Sequence, residues 1–279
     1  MSRRPAFAAA CLLSVSLILC LAACQREAAP RAGSAPVPTD APERAAAPAP
    51  LLQDVAEHDP RYLIGISYPA VANRYPGLAA ELRRYAEGAR AELMQAVAGL
   101  GQQKPPAPYD LTLSFIEVAE TPQVVAIDAD GSIYTGGAHG NPLVACFAWL
   151  PQRNELLTAT KLVPDTAAWR TLAAYIREQL HTALAQRVDA DGLAGEQRAD
   201  VLKDGGRMID EGTGPDPRNF GQFEPVLAAD GRIAALRFVF PPYQVGPYAD
   251  GRQTVDVPAD VLLPHVAPAY RTLFAGGQG

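Results

Sequence analysis

One stretch decides the fold class, and it is Gln123-Val124-Val125-Ala126-Ile127-Asp128-Ala129-Asp130-Gly131-Ser132-Ile133-Tyr134. Apolar runs flank the pair Asp130-Gly131, and an Asp-Gly pair between apolar runs is a strong sequence signal for a tight hairpin turn. A second pair, Asp230-Gly231, lies between residues 223–227 and 232–240 in the same way. Because strands joined by short turns pair with their neighbours in sequence, both stretches predict antiparallel sheet.

Helices and further strands are predicted around these hairpins. Apolar residues recur every three or four positions from Leu78 to Val97 and from Trp169 to Leu184, which is typical of amphipathic helices. Asp165 is placed to cap the second helix, and a more polar third helix is expected to end near Ile209. Residues 62–68, 110–119 and 143–150 have the composition of strands. We therefore predict an α+β fold, with two or three amphipathic helices packed on antiparallel sheets.

The N-terminus has the pattern of a secretory signal. Arg3 and Arg4 precede an apolar run over residues 6–23, so residues 1–23 are expected to be a signal peptide. The alternative is a transmembrane anchor, but spanning a bilayer takes about 20 apolar residues and this run is marginal. Its end, Leu21-Ala22-Ala23-Cys24, resembles the lipobox of bacterial lipoproteins. The resemblance implies acylation of Cys24, palmitate included, and an anchor in a membrane.

The residue after Cys24 sets the expected address of such a lipoprotein. It is Gln25 rather than Asp, and by resemblance to the Gram-negative sorting rules this implies the outer membrane, facing the periplasm. Residues 28–50 contain nine Ala and six Pro, with Val37 as the one larger aliphatic residue. Such a composition cannot form a packed core, so residues 24–50 are expected to be a lipidated Cys followed by a tether. The folded domain is expected at residues 51–279, either as one unit or as two packed lobes near 51–120 and 121–279.

Charge and cysteine content exclude several classes of protein. The chain has 24 basic and 30 acidic residues, and five of the former and three of the latter precede residue 51, leaving 19 basic and 27 acidic residues in the domain. This excess of acid argues against a nucleic-acid-coating surface. Four Cys in 279 residues are too few for a disulfide-stapled miniprotein.

Two stretches stand out as candidate binding segments. The first is Tyr134-Thr135-Gly136-Gly137-Ala138-His139-Gly140-Asn141, in which glycines permit unusual backbone conformations while polar tips are presented. The second runs from Phe240 to Gly251 and sets two tyrosines on a frame of Pro and Gly. Either stretch could be a structural turn alone. The candidate partner-binding residues are Tyr134, Gly136, Gly137, His139, Asn141, Tyr243 and Tyr248.

Catalytic and metal chemistry find weaker support in the sequence. The four histidines, His58, His139, His181 and His265, are never four residues apart, so neither a metal site nor a cofactor is predicted. Cys146 lies in an apolar strand, where a buried and inert thiol is the usual occupant. The alternative is a hydrolase that uses His139 together with Cys146 or an acidic residue.

The two candidate stretches together resemble a family of cell-envelope domains of largely unknown function. Its members include the extracytoplasmic domain of RsiV-type anti-sigma factors and the non-catalytic domain of PdaC-type peptidoglycan deacetylases. The resemblance covers roughly residues 55–275 and implies an α+β envelope domain. In the RsiV-type members it also implies lysozyme binding. Those members have a transmembrane helix and a cytoplasmic sigma-binding segment, where this chain is expected to have only a lipid anchor, with no deacetylase domain following.

The expected function is therefore that of a non-enzymatic, lipid-anchored binding protein of the envelope. A lysozyme-like muramidase or peptidoglycan is the expected partner. The alternatives are an envelope hydrolase that uses His139 and a structural accessory of an envelope assembly.

Overall fold

The computed structural model of the protein describes residues 51–277. The expected signal peptide, Cys24 and the tether up to residue 50 lie outside the described residues. A six-stranded sheet comes first along the chain, and its strands neighbour one another in sequence order. They are β1 Val55–Asp59, β2 Tyr62–Ser67, β3 Tyr109–Glu120, β4 Val125–Tyr134, β5 Asn141–Leu150 and β6 Glu155–Leu157.

One pairing in this sheet departs from the predicted antiparallel arrangement. Strands β2 and β3 are parallel, whereas the other neighbours are antiparallel. The cause is helix α1, Pro76–Gly99, which lies between β2 and β3 in the chain. A helical crossover returns the chain to the end of the sheet where it started, so the next strand runs in the same direction. The sheet is therefore mixed.

The predicted apolar face of α1 packs against this sheet. Leu78, Leu82 and Leu93 are fully buried and belong to one hydrophobic cluster with Leu113 and Ile127 of the sheet. Pro76 begins the helix, where a missing N–H costs no hydrogen bond. Burial of each Leu side chain contributes about 1.5 to 3 kcal/mol, so packing rather than local propensity holds α1 in place.

A second sheet and further helices follow. Strands β7 Phe223–Leu227, β8 Ile233–Phe240 and β9 Gln253–Pro258 form an antiparallel sheet in that order. The helices are α2 Ala159–Leu162, α3 Ala168–Ala190, α4 Gly195–Gly212 and α5 Ala259–Leu262. The centre of this part is Trp169 of α3, which is fully buried and stacks on Phe220 with ring centroids 5.2 Å apart.

Strand β5 supplies side chains to both hydrophobic clusters. Ala145, Phe147 and Trp149 belong to the cluster around α1, whereas Ala148 and Leu150 belong to the cluster around Trp169. Successive side chains of a strand point to opposite faces of the sheet. The two cores therefore lie on opposite faces of β5.

The predicted hairpin turn at Asp130-Gly131 is wrong. Both residues lie inside β4 and pair with Ser114 and Leu113 of β3. Glycine is required at position 131 for a different reason, since an added Cβ would lie 2.0 Å from the carbonyl oxygen of Thr112. A glycine within a strand can mark such a close approach of two backbones. By contrast, Asp230-Gly231 does form the turn before β8, and Gly231 has a φ of 80°.

The other elements that were predicted agree with the structure to within a few residues, whereas the short elements β1, β6, β9, α2 and α5 were not predicted. The α+β class is confirmed, and the predicted helices correspond to α1, α3 and α4. The prediction that Asp165 caps α3 is wrong, because the N-cap is Ala167, which makes no side-chain capping hydrogen bond; Oδ1 of Asp165 instead accepts a hydrogen bond from the backbone N–H of Ala167 at 2.8 Å, in the turn before the helix. The suggested lobe boundary near residue 120 lies between the paired strands β3 and β4. Across residues 51–277, none of the helices has the length and apolar character needed to cross a membrane.

Candidate functional site

The first candidate segment forms the connection between β4 and β5. Its glycines shape the loop, because Gly136 and Gly137 have φ values of 97° and 107°. Side chains with a Cβ rarely adopt such angles, so this conformation depends on glycine. The hydroxyl of Tyr134 donates a hydrogen bond to the carbonyl oxygen of Gly137 at 3.3 Å, which closes the loop on itself. His139 and Asn141 are exposed at the far side.

The second candidate segment connects β8 to β9. Within it Tyr243 has a φ of 74°, an uncommon conformation for a bulky residue. The strained backbone is held from both sides. The backbone N–H of Tyr243 donates to the carbonyl of Gly246 at 2.9 Å, and the amide of Gln244 donates to the carbonyls of Gly212 and Asn219 at 3.1 and 2.8 Å. Strain that the surroundings enforce in this way is found preferentially at functional sites.

The structure brings these two segments together. The ring of His139 stacks on Tyr248, with centroids 4.0 Å apart and planes 12° from parallel. The hydroxyl of Tyr243 lies 3.0 Å from Nε2 of His139, and the two tyrosine rings are 5.7 Å apart. Tyr243 is 52% exposed and Tyr248 is 39% exposed. We call His139, Tyr243 and Tyr248 the aromatic surface.

Two hydrogen bonds hold the ring of His139 in place. Nδ1 lies 3.1 Å from the carbonyl oxygen of Gly140, which can only accept, so Nδ1 carries the proton. Nε2 forms the second hydrogen bond with the hydroxyl of Tyr243, in which either atom can be the donor. In both arrangements the Tyr243 oxygen keeps at least one lone pair for a ligand. The aromatic surface therefore combines apolar ring area with a hydrogen-bond acceptor.

The remaining candidate residues take supporting places. Tyr134, Gly136 and Gly137 build the frame of the loop that carries His139. Asn141 is the first residue of β5, where it pairs with Ile133 of β4. Of the seven residues predicted from sequence, three form the shared aromatic surface and four lie in or beside the loop that supports it.

A buried ionic cluster, which was not predicted from the sequence, lies elsewhere in the fold. Asp128 of β4 and Glu224 of β7 are 7% and 8% exposed, and both accept hydrogen bonds from Nη2 of Arg252, just before β9. Cys146 of β5 lies beside them, directly across the ladder from Asp128. We call Asp128, Glu224 and Arg252 the ionic cluster. It joins the six-stranded sheet to the three-stranded one.

Burial and mutual repulsion control protonation in this cluster. Burial, strengthened by the nearby Asp128 carboxylate, raises the pKa of Glu224 above its ordinary value. Burial also raises the pKa of the Cys146 thiol far above its usual range, and the carboxylates of Asp128 and Glu224 add to the effect. A thiol with a raised pKa is a poor nucleophile, because the reactive form is the thiolate. Cys146 is half-buried rather than fully buried as predicted, and its thiol is poorly suited to nucleophilic chemistry.

The same cluster offers metal-ligating atoms. Atoms of Asp128, Cys146 and Glu224 lie within 4.8 Å of one another. The positive charge between the carboxylates is already supplied by Arg252, and Oδ1 of Asp128 is buried without a hydrogen-bond partner. No sequence motif could have revealed this arrangement, because its members lie up to 124 residues apart.

Comparisons with known proteins divide the chain into two regions. Residues 55–142 match the family model described as deacetylase PdaC, and residues 162–260 match the family described as a protein of unknown function, DUF3298. No curated protein matches the chain.

The solved structures that are similar to this one include two proteins of the DUF3298 family. A DUF3298 family protein from Pseudomonas aeruginosa PAO1 shares the fold, with a TM-score of 0.50 and 16% identity over 82% of this chain and 99% of that one. A DUF3298 family member from Bacteroides fragilis NCTC 9343 has a TM-score of 0.42 and 16% identity, over 77% of this chain and 92% of that one. The two family models thus support the domain family expected from the sequence, with a PdaC-type region at residues 55–142 followed by a DUF3298-type region at residues 162–260.

Proposed function

We propose that the protein is a non-enzymatic binding protein of the bacterial cell envelope, which recognises a partner protein through the aromatic surface. The observation that carries this proposal is the convergence of His139 with Tyr243 and Tyr248 from a segment 104 residues away. Exposed aromatic residues on a rigid frame are typical of binding hot spots, because they offer large contact area at low entropic cost. The strained φ of Tyr243 supports the same interpretation.

The charge of the domain favours a cationic partner. Residues 51–279 carry 27 acidic and 19 basic residues, which leaves an excess of eight negative charges. Opposite charges speed the encounter of two proteins, and salt screens this effect. A lysozyme-like muramidase is such a cationic protein and is the partner that we propose. Peptidoglycan is the alternative ligand that the same experiment distinguishes.

Substitutions at the aromatic surface are expected to weaken this complex. His139→Ala and Tyr248→Ala should each cost about 1 to 2 kcal/mol, or roughly tenfold to thirtyfold in affinity, chiefly through faster dissociation. Binding should also weaken as salt concentration rises. Isothermal titration calorimetry against hen-type, goose-type and bacterial muramidases and against muropeptides measures both effects. His58→Ala, an exposed histidine on β1, is the matched control and should bind like wild type.

Three results would decide against parts of this proposal. Heat with muropeptides alone would transfer the function to peptidoglycan binding. Heat with none of these ligands would favour a structural accessory of an envelope assembly. Wild-type affinity in a folded double variant of His139 and Tyr248 would remove the aromatic surface from the interface.

The contacts of His139 favour binding over hydrolysis. Its ring nitrogens meet the hydroxyl of Tyr243 and the carbonyl of Gly140, and its face is covered by Tyr248. A general base for a nucleophile needs a free nitrogen within hydrogen-bond reach of that nucleophile. The raised pKa of the Cys146 thiol likewise argues against its use as the nucleophile.

We also propose that lipid on Cys24 holds the protein at the outer membrane, facing the periplasm. Acyl chains on this thiol would give membrane affinity in proportion to their buried length. Cys24→Ala is expected to move the protein from the membrane fraction to the soluble fraction, and mass spectrometry of the N-terminal peptide should show acyl chains only on the wild type. Retention of the variant in the membrane fraction, with no acyl mass on the wild type, would contradict the anchor.

A further inference from the structure

A pocket of about 460 Å³ opens between helices α3 and α4. This volume is within the range of small-ligand sites. Its apolar wall consists of side chains from both helices and from the two segments next to them. They are Leu184, Val188, Leu193, Val201, Met208 and Pro247.

The close packing of the two helices shapes the floor of this pocket. A Cβ at Gly205 of α4 would lie 2.9 Å from Cδ2 of Leu184 on α3, so the glycine allows the helices to approach. Leu184 and Val188 are buried beneath the opening, whereas Val201 and Met208 are half-buried at its side. Val201 and Met208 therefore keep part of their surface accessible to solvent, and both line the pocket.

The rim of the pocket is strongly acidic. Asp191, Asp200, Asp204 and Asp250 line it with one basic residue, Arg187. Arg187 is already paired with Asp250 at 2.7 Å, and Asp204 lies 4.0 Å from Arg207. Asp191 and Asp200 make no ion pair with any residue between 51 and 277. The rim thus has excess negative charge above an apolar floor.

This pocket adjoins the aromatic surface. Pro247 and Asp250 line the pocket, and Tyr248 lies between them in the chain. A partner seated on Tyr248 would therefore reach the pocket mouth with its next side chains. Lysine and arginine fit such a site, because they bury an aliphatic stem against apolar surface and keep the charged head at the rim.

We propose that the α3–α4 pocket binds a lysine or arginine side chain that the partner projects beside the aromatic surface. The aliphatic stem packs on Leu184, Val188 and Met208, and the cationic head lies between Asp191 and Asp200. That this side chain belongs to the partner bound at the aromatic surface rests on the proposed function. The preference of the pocket for an alkyl cation does not depend on it.

The methionines of the chain give a direct test, because Met1, Met94 and Met208 are the three present. Full-length protein with 13C-labelled methionine methyl groups is titrated with Nα-acetyl-lysine methylamide and followed by NMR. The Met208 signal is expected to shift saturably with a dissociation constant of roughly millimolar order, or about −4 kcal/mol. Met94, on α1, is the internal control and should not shift.

Three variations separate the contributions of charge and stem. The norleucine analogue has a similar aliphatic stem without the ammonium group, and it should bind at least about fivefold more weakly. An Asp191→Asn, Asp200→Asn double variant should weaken lysine binding by a similar factor, whereas the exposed Glu117→Gln should not. Equal shifts with both analogues, or no shift of Met208, would overturn the proposal.

The outcome is separable from that of the proposed function. If the lysine analogue binds but His139→Ala and Tyr248→Ala leave muramidase binding unchanged, the pocket stands and the aromatic surface fails. If the aromatic variants weaken muramidase binding while Met208 never responds to the lysine analogue, the pocket proposal fails alone.

Discussion

Replacing Arg252 with alanine is expected to lower the free energy of unfolding by about 3 to 5 kcal/mol. Arg252 is the shared hydrogen-bond donor to Asp128 and Glu224, both of which are more than nine-tenths buried. Its removal leaves two carboxylates facing each other between the sheets without a counter-charge. The pKa of Glu224 is already raised, and removal of the Arg252 guanidinium should raise it further. Protonation of Glu224 should then offset part of the loss in stability.

Chemical denaturation of the variant and of a matched control measures this effect. Arg237 also pairs with a carboxylate, Asp256, but both side chains are more than 40% exposed. Arg237→Ala should therefore cost less than about 1 kcal/mol. Adding Asp128→Asn and Glu224→Gln to Arg252→Ala should recover part of the stability, since the uncompensated charge is then gone. If Arg252→Ala costs no more than Arg237→Ala, the ionic cluster does not hold the sheets together.

Gly212→Ala is expected to disturb the aromatic surface from a distance. A Cβ at this last residue of α4 would lie 2.0 Å from the carbonyl oxygen of Gln244 and 2.9 Å from Cγ1 of Val245. The backbone at Gln244 must move, and Tyr243 precedes it. We expect a loss of about 1 to 3 kcal/mol in stability from overpacking, together with loss of the 3.0 Å contact between Tyr243 and His139.

Gly214→Ala provides the matched control two residues away. The nearest atom to its added Cβ is Nδ2 of Asn219 at 3.4 Å, an ordinary contact. This variant should change stability by less than about 0.5 kcal/mol. The imidazole chemical shifts of His139 report whether the contact with Tyr243 persists. Unchanged shifts and wild-type stability in Gly212→Ala would show that the 241–252 segment does not depend on this close approach.

The predicted fold follows from patterns that the sequence states locally. Helix α3 was predictable because Trp169, Leu172 and Ile176 recur at helical spacing and all are buried. The Asp-Gly pairs show the limit of such patterns. Asp230-Gly231 forms a turn, whereas Gly131 satisfies a backbone contact with Thr112. The local sequence around a glycine is the same whether the glycine forms a turn or allows the backbone of another strand to approach closely.

Part of the candidate site could likewise be predicted from local sequence, and part of it could not. His139, Tyr243 and Tyr248 could be singled out because unusual composition marks each segment, although nothing in the sequence places them within contact. The ionic cluster was beyond reach, since Asp128 and Glu224 look like ordinary acidic residues in alternating strands. Their role depends on the contact that Arg252 makes with both carboxylates between the two sheets, which only the three-dimensional structure shows. The parallel pairing of β2 and β3 was missed although the intervening α1 was predicted, and that crossover could have revealed it.

Strand β5 determines whether the two regions that match family models can be separated. The matched regions end at residue 142 and resume at residue 162, so nearly all of β5 falls in the interval that neither family model claims. From the family matches alone, this interval looks like the natural boundary at which to exchange one matched region for another. Yet Phe147 belongs to one hydrophobic core and Leu150 belongs to the other. A chimera joined within β5 would therefore build each core from side chains of two different parent proteins. The two matched regions are therefore expected to be inherited together and not exchanged separately.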